Sequence, residues 1–274
     1  MQRTRFAVPF LLLACAASLQ AQWNPLNPVT GVEQQPNGVL LTMQTGVMRL
    51  AVCTDSIIRV TYSPASAIPN PPEYVVTKTT WPAAKWSMQS TDKTVSLVTG
   101  RFKATVNRED GSISYFDLAD KNLVNEGPRT MTPAKVNGED TYRSETFIKL
   151  WGSMEAFYGL GQHQAGVWNY HGESVDLSHD NTNISIPFFL SSNGYGIFWN
   201  NASKSRFNNR FVHALYLSSE VADTIDYYFL YGPEFDKLIA GYRELTGATP
   251  MFGKWAYGFW QCKTPTLHQL PLFQ

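Results

Sequence analysis

Short runs of apolar, β-forming residues recur from Val39 to Leu230 at intervals of roughly ten residues, with turn residues between them. Few architectures accept that rhythm. Val39–Thr45 and Val47–Cys53 are separated by Gly46, and Ser56–Tyr62 alternates so that Ile58, Val60 and Tyr62 share one side. Four prolines between Pro64 and Pro72 make that stretch a loop. Thr94–Leu97 and Phe102–Val106 come next, and Arg108-Glu-Asp-Gly-Ser112 reads as a tight turn into Ile113–Phe116. Asp-Gly between two strand-like runs is a strong hairpin signal, because both residues tolerate positive φ. Further strands are expected at Phe147–Leu150, Ile184–Leu190, Gly196–Trp199, Ala214–Ser218 and Thr224–Leu230. The chain is therefore mainly β, a sandwich or barrel.

The period changes near the end. Phe235, Leu238, Ile239, Tyr242 and Leu245 fall on one face of an amphipathic helix, with Pro233 at its start and Gly247 just past its end. Trp255–Gln261 then reads as an aromatic strand, buried on both faces or lining a pocket. After Lys263 no periodicity remains.

At the other end, Met1-Gln-Arg-Thr-Arg5 is a basic n-region followed by an apolar run from Phe6 to Ala17. The run is too short for a transmembrane helix, which needs ~20 apolar residues. It has the form of an export signal cleaved after Ala21. A second reading is open, since Leu12-Leu-Ala-Cys15 resembles a bacterial lipobox that would leave a lipid anchor on Cys15. No other segment is apolar enough to span a membrane. Cys53 and Cys262 lie too far apart to define a disulfide framework, and read as buried thiols.

Charge excludes one class of partner. Lys+Arg and Asp+Glu both number 22, so no basic excess exists to seek nucleic acid. The aromatic content, 14%, suits pleated surfaces and also suits sugars, whose pyranose faces stack on flat rings. Cofactor and metal motifs are missing: no GxGxxG, no Gly-Lys-Ser/Thr loop, no CxxC and no HExxH. His163, His171 and His179 recur eight apart, which is too sparse for a metal site. No serine sits in a nucleophile elbow. The informative stretch runs from Phe157 to Asn201, where Gly, Asn and aromatic residues between strands read as loops at the rim of a sandwich. Such loops can offer amide and carboxylate groups to sugar hydroxyls. They can equally be corners turned by glycine, with Asn200 and Asn201 capping a hairpin.

Tyr158-Gly-Leu-Gly161, Ile186-Pro-Phe188, Ser192-Asn-Gly-Tyr-Gly-Ile197 and Trp199-Asn200 together resemble the N-terminal signature of glycoside hydrolase family 31, which contains α-glucosidases and α-xylosidases. Tyr242-Arg-Glu-Leu-Thr-Gly247, Pro250, Lys254-Trp-Ala256 and Gly258-Phe-Trp-Gln261 resemble that family's passage into its catalytic barrel. The spacing from Asn181-Thr182 to Pro187-Phe188 is more similar to the α-xylosidase side. After the export signal over 1–21, the resemblance implies a galactose-mutarotase-like β-sandwich over 22–232 and a linker helix with the first strand of a (β/α)₈ barrel over 233–263, and the tail over 264–274 is unlike the family.

It implies as well a retaining mechanism on plant-type oligosaccharides, in which one Asp attacks the anomeric carbon and a second carboxylic acid protonates the leaving oxygen across ~5–5.5 Å. In the family both lie on later barrel strands, the nucleophile in an Asp-x-x-Glu-type motif that does not occur after Lys263. The chain thus reads as the front of such an enzyme, inactive by itself, with an oligosaccharide or polysaccharide as partner and no cofactor. Carried over by resemblance, Asp180 and Asn181 fall in a sandwich loop that dips toward the sugar, and Phe259 and Trp260 line the −1 pocket. For Asp180 and Asn181 a loop shaped by its own Asx turns is the competing reading. Two other classes stand beside the enzyme: a non-catalytic carbohydrate-binding sandwich, and a purely structural one.

Overall fold

The computed structural model describes residues 26–78, 80–150, 154–211 and 213–260. The export segment with Cys15, residues 261–263 and the tail lie outside them. The described strands run, in chain order, β1 (Val29–Gln35), β2 (Gly38–Met43), β3 (Val47–Thr54), β4 (Ile57–Ser63), β5 (Trp86–Ser90) and β6 (Thr94–Thr99). Then come β7 (Phe102–Asn107), β8 (Ile113–Asp117), β9 (Asn122–Val136), β10 (Glu139–Lys149), β11 (Phe157–Gln162) and β12 (Ser174–Leu177). The last five are β13 (Ile184–Ser191), β14 (Tyr195–Trp199), β15 (Ser205–Phe211), β16 (Ala214–Ala222) and β17 (Ile225–Tyr231), followed by helix α1 (Phe235–Thr246). Sheet A has the order β1-β2-β3-β4-β17-β14-β13-β11, and sheet B the order β12-β15-β16-β10-β9-β8-β7-β6-β5. The expected sandwich is the observed one.

The two sheets bury their facing sides differently, and the sequence records it. Sheet B has one wet face, so β7 alternates, with Phe102, Ala104 and Val106 inward and polar residues outward. Sheet A is covered on both faces. On β17, Ile225, Tyr227 and Phe229 enter the core between the sheets, whereas Tyr228 and Leu230 join a second apolar cluster under α1. That is why Ile225–Tyr231 reads as a nearly continuous apolar run. Cys53 belongs to the second cluster; burial pushes its thiol up to about 12, so it is chemically quiet.

Helix α1 docks through a narrower face than the pattern suggests. Leu238 and Leu245 are fully buried and the Tyr242 ring stacks on Phe188 at 4.4 Å, but Phe235 and Ile239 stay largely exposed. Gly247, at φ +89°, ends the helix by donating its N–H to the Arg243 carbonyl at 2.9 Å. The Asp110-Gly111 turn forms as expected between β7 and β8, with Gly111 at φ +71° and the Asn107 N–H on the Ser112 carbonyl at 2.9 Å.

The expected aromatic strand after the helix is not formed. Lys254–Tyr257 is a 3₁₀ turn, with the Ala256 N–H on the Gly253 carbonyl and the Gly258 N–H on the Trp255 carbonyl. A strand needs a neighbour for its backbone polar groups. Neither sheet reaches this segment, so it closes its hydrogen bonds locally. Phe259 and Trp260 are consequently 93% and 65% exposed.

Candidate sugar-facing loop

The stretch read as rim loops is partly strand. Phe157–Gln162 forms β11, the edge of sheet A, and its backbone is unusual: Gly159, Leu160 and Gly161 all have positive φ, at +104°, +65° and +100°. Gly159 lies opposite Phe189 and Gly161 opposite Ser185, so Ile186-Pro187-Phe188 bulges past Leu160 alone. A bulge also tolerates Pro187, which has no N–H to give. A Cβ on Gly161 would stand 2.0 Å from the Ile184 carbonyl oxygen. Gly161→Ala is therefore expected to cost about 1–3 kcal/mol, from positive φ and the clash together. A wild-type midpoint in urea would contradict the bulge geometry.

This bulge supports the turn between β12 and β13. Asp180 and Asn183 bridge their backbones in both directions, at 3.3 and 3.1 Å, with Thr182 at φ +70° between them. The Asn183 side-chain oxygen accepts the Gln164 N–H at 3.1 Å, and the Ser185 hydroxyl donates to the Ser178 carbonyl at 2.9 Å. Asp180 Oδ1 accepts the Asn181 N–H at 2.7 Å, a bond to the next residue rather than the two-residue span of an Asx turn. One Asp180 oxygen thus shapes the loop; the other oxygen and the Asn181 carboxamide make no hydrogen bond among the described residues, and both side chains are exposed. Ile184, three residues on, is 51% exposed. The loop offers an acceptor, a donor–acceptor amide and apolar surface, which is what a pyranose edge and face require. No hydrogen bond or ring contact joins Phe259 or Trp260 to it among the described residues; Trp260 packs on Trp255 at 5.7 Å.

Two of the three recurring histidines are held by backbone carbonyls. His163 bonds the Leu160 carbonyl at 2.9 Å and His171 the Glu155 carbonyl at 2.8 Å. Asn200 does more than cap a hairpin: its amide donates to Asp226 at 2.7 Å and to Glu73 at 3.0 Å. Arg59 grips Asp226 through two bonds, at 2.8 and 2.7 Å, and also reaches Glu73. Burial alone would lower the Arg59 pKa, but the Asp226 bond and charge outweigh it and hold the guanidinium up. One cation, Arg59, together with the neutral Asn200 amide, bridges two carboxylates, Asp226 and Glu73, and so ties β4, β17 and the 71–75 loop. Sequence reasoning missed it because its members lie far apart in the chain.

A β-sandwich of two antiparallel sheets, with a helix on one and a bulged Tyr-Gly-Leu-Gly edge strand, is the galactose-mutarotase type of domain. Residues 47–208 match the glycosyl hydrolase 31 N-terminal galactose mutarotase-like domain, and the chain belongs to that family. It is 44% identical over 139 residues to an α-xylosidase of Saccharolobus solfataricus, a match covering 47% of this chain and 19% of the relative. It is 26% identical over 268 residues to an isomaltosyltransferase of Sporosarcina globispora, covering 87% and 23%. The chain thus spans about a fifth of these curated relatives. Among solved structures, the family 31 α-xylosidase of Xanthomonas citri superposes with a TM-score of 0.75 at 20% identity, over 84% of this chain and 42% of that one. The Flavobacterium johnsoniae dextranase complexed with isomaltotriose gives 0.71 at 24%, over 85% and 30%.

Proposed function

We propose that this chain is the N-terminal sandwich of an exported, retaining α-glycosidase of α-xylosidase type, acting on plant-type oligosaccharides. The observation that carries the reading is the 44% identity to an α-xylosidase over 139 residues. The buried carboxylates of the described residues are engaged in structure: Glu126 with Arg129 and Tyr227, Glu155 with Ser191, Asp226 with Arg59. The sandwich's role in this reading is to position sugar, and the nucleophile and acid come from barrel strands beyond it. The experiment is to sequence the genomic DNA past the codon for Lys263 and translate all three frames. A barrel with an Asp-x-x-Glu-type nucleophile motif is expected, and the joined protein should hydrolyse aryl α-xylosides. No such frame, or a joined protein without α-glycosidase activity, overturns the reading.

In that joined protein Asp180 is a sugar-binding residue. Asp180→Ala should weaken transition-state binding by about 1–3 kcal/mol, the cost of a lost hydrogen bond to a charged acceptor. Unchanged kcat and KM would return the carboxylate to a purely loop-shaping role.

Export is read from Met1–Ala21. The secreted protein should begin at Gln22 by N-terminal sequencing. A blocked, lipid-bearing Cys15 would support the lipobox reading instead, and an intact Met1 would exclude both.

A further inference from the structure

Sheet A carries α1, but the outer face of sheet B is open at β9, β10, β12, β15 and β16. In antiparallel pairs, residues directly opposite share a face. The register therefore lays Asp176, Arg206, Ser218, Glu145 and Thr130 in one line across five strands. Two residues along, roughly 7 Å away, Asn208, Tyr216 and Phe147 form a second line. Tyr216 packs on Phe147 at 5.7 Å and edge-on to Phe211 at 5.3 Å, and Phe211 is 56% exposed. Gly127 on β9 makes room for the Phe147 ring, which a Cβ there would meet at 2.2 Å. On the other side of the polar line lie Lys204 and Glu220, paired at 3.5 Å, and Arg143.

The polar line, with Arg143, Lys204 and Glu220, borders a groove of about 530 Å³, and the Tyr216–Phe147 line stands beside it on the same face. Its cations, Arg143, Lys204 and Arg206, equal its anions, Glu145, Asp176 and Glu220. A balanced lining does not favour a phosphate, an acidic peptide or a polycation. It does supply donors and acceptors side by side, as neighbouring hydroxyls need. Asp176 and Arg206 hold each other at 2.5 Å, whereas Arg143 and Glu145 make no side-chain hydrogen bond or ion pair among the described residues. Partial desolvation pushes the carboxyl of Glu145, whose side chain is still exposed, up from its ordinary value.

We infer that the outer face of sheet B is a second carbohydrate site, binding a neutral oligosaccharide with one pyranose on the Tyr216–Phe147 line and its hydroxyls on Glu145, Arg143 and Ser218. The Tyr216–Phe147 end of the site, on β16 and β10, stands two and three strands from β12, which leads into the Asp180 turn, and the inference does not rest on the glycosidase reading. Its test is isothermal titration of the full chain with maltohexaose and with a xyloglucan heptasaccharide, for wild type, Glu145→Gln and Tyr216→Ala. Saturable binding by wild type to at least one probe, weakened tenfold or more in both variants, is the expected result. Glu145→Gln changes charge without volume, so it decides the matter even if Tyr216→Ala folds poorly. No saturable heat from wild type with either sugar overturns the inference. So does wild-type affinity in Glu145→Gln, including the case in which Asp180→Ala alone removes binding.

Discussion

Phe229→Ala is expected to destabilise the chain by about 3–5 kcal/mol, near the upper end of what a single core truncation removes. Phe229 is completely buried on β17, stacked on Tyr115 at 3.8 Å, with Phe102 at 5.2 Å and Tyr195 at 5.8 Å. Those three rings come from β8, β7 and β14, each fixed in its own ladder, so none can move in to fill the space. A cavity that cannot collapse carries both the lost transfer energy and the lost dispersion contacts. Phe229→Leu keeps most of the volume and should lose less than about 1.5 kcal/mol. Urea unfolding followed by near-UV circular dichroism compares the two. Equal losses would mean that ring packing around Phe229 is not what aligns the sheets.

The second large effect lies in the same core but is electrostatic. Glu126 and Arg129, both about 95% buried, pair at 2.6 Å on β9. Thr146 donates to the carboxylate at 2.8 Å, Tyr227 at 2.5 Å, and the Tyr227 and Tyr115 hydroxyls meet at 2.9 Å. Burial by itself would lower the Arg129 pKa, but the Glu126 charge more than reverses that and holds the cation charged. Arg129→Met leaves an uncompensated carboxylate between the sheets and should cost about 3–5 kcal/mol. The double variant Glu126→Leu/Arg129→Met removes both charges and should recover most of the loss, because desolvation offsets most of what a buried pair contributes. A double variant as unstable as the single one would show that the hydrogen bonds to Thr146 and Tyr227, rather than charge balance, hold this site.

What was legible in the sequence followed from burial. Strands with one wet face, such as Phe102–Asn107, alternate, and the doubly covered β17 reads as an apolar run, so their positions were plain. β9 was missed because Pro128, Pro133 and Gly127 weaken any strand signal, although its long antiparallel pairing with β10 tolerates them. β11 reads as a loop in the sequence because its glycines, which the bulge requires, look like turn residues. Of the site, Asp180 and Asn181 are singled out by resemblance alone, and the structure sets them in the turn between β12 and β13. The strand expected for Phe259 and Trp260 depends on neighbours that neither sheet provides. The polar line on sheet B was invisible for another reason. Its five residues sit on five strands, at positions 130, 145, 176, 206 and 218, and only the register brings them together.

The register between β4 and β17, with Ile58 opposite Phe229, also sets an order of birth. On a ribosome making ~5–20 residues per second, β4 waits on the order of ten seconds for the strand that will cover its open edge. Until then β1 to β4 can form only hairpins among themselves, and loop closure over that distance makes the final zipping slow. Until β17 arrives, the half-made sheet keeps an unpaired edge on β4 that can pair with another chain.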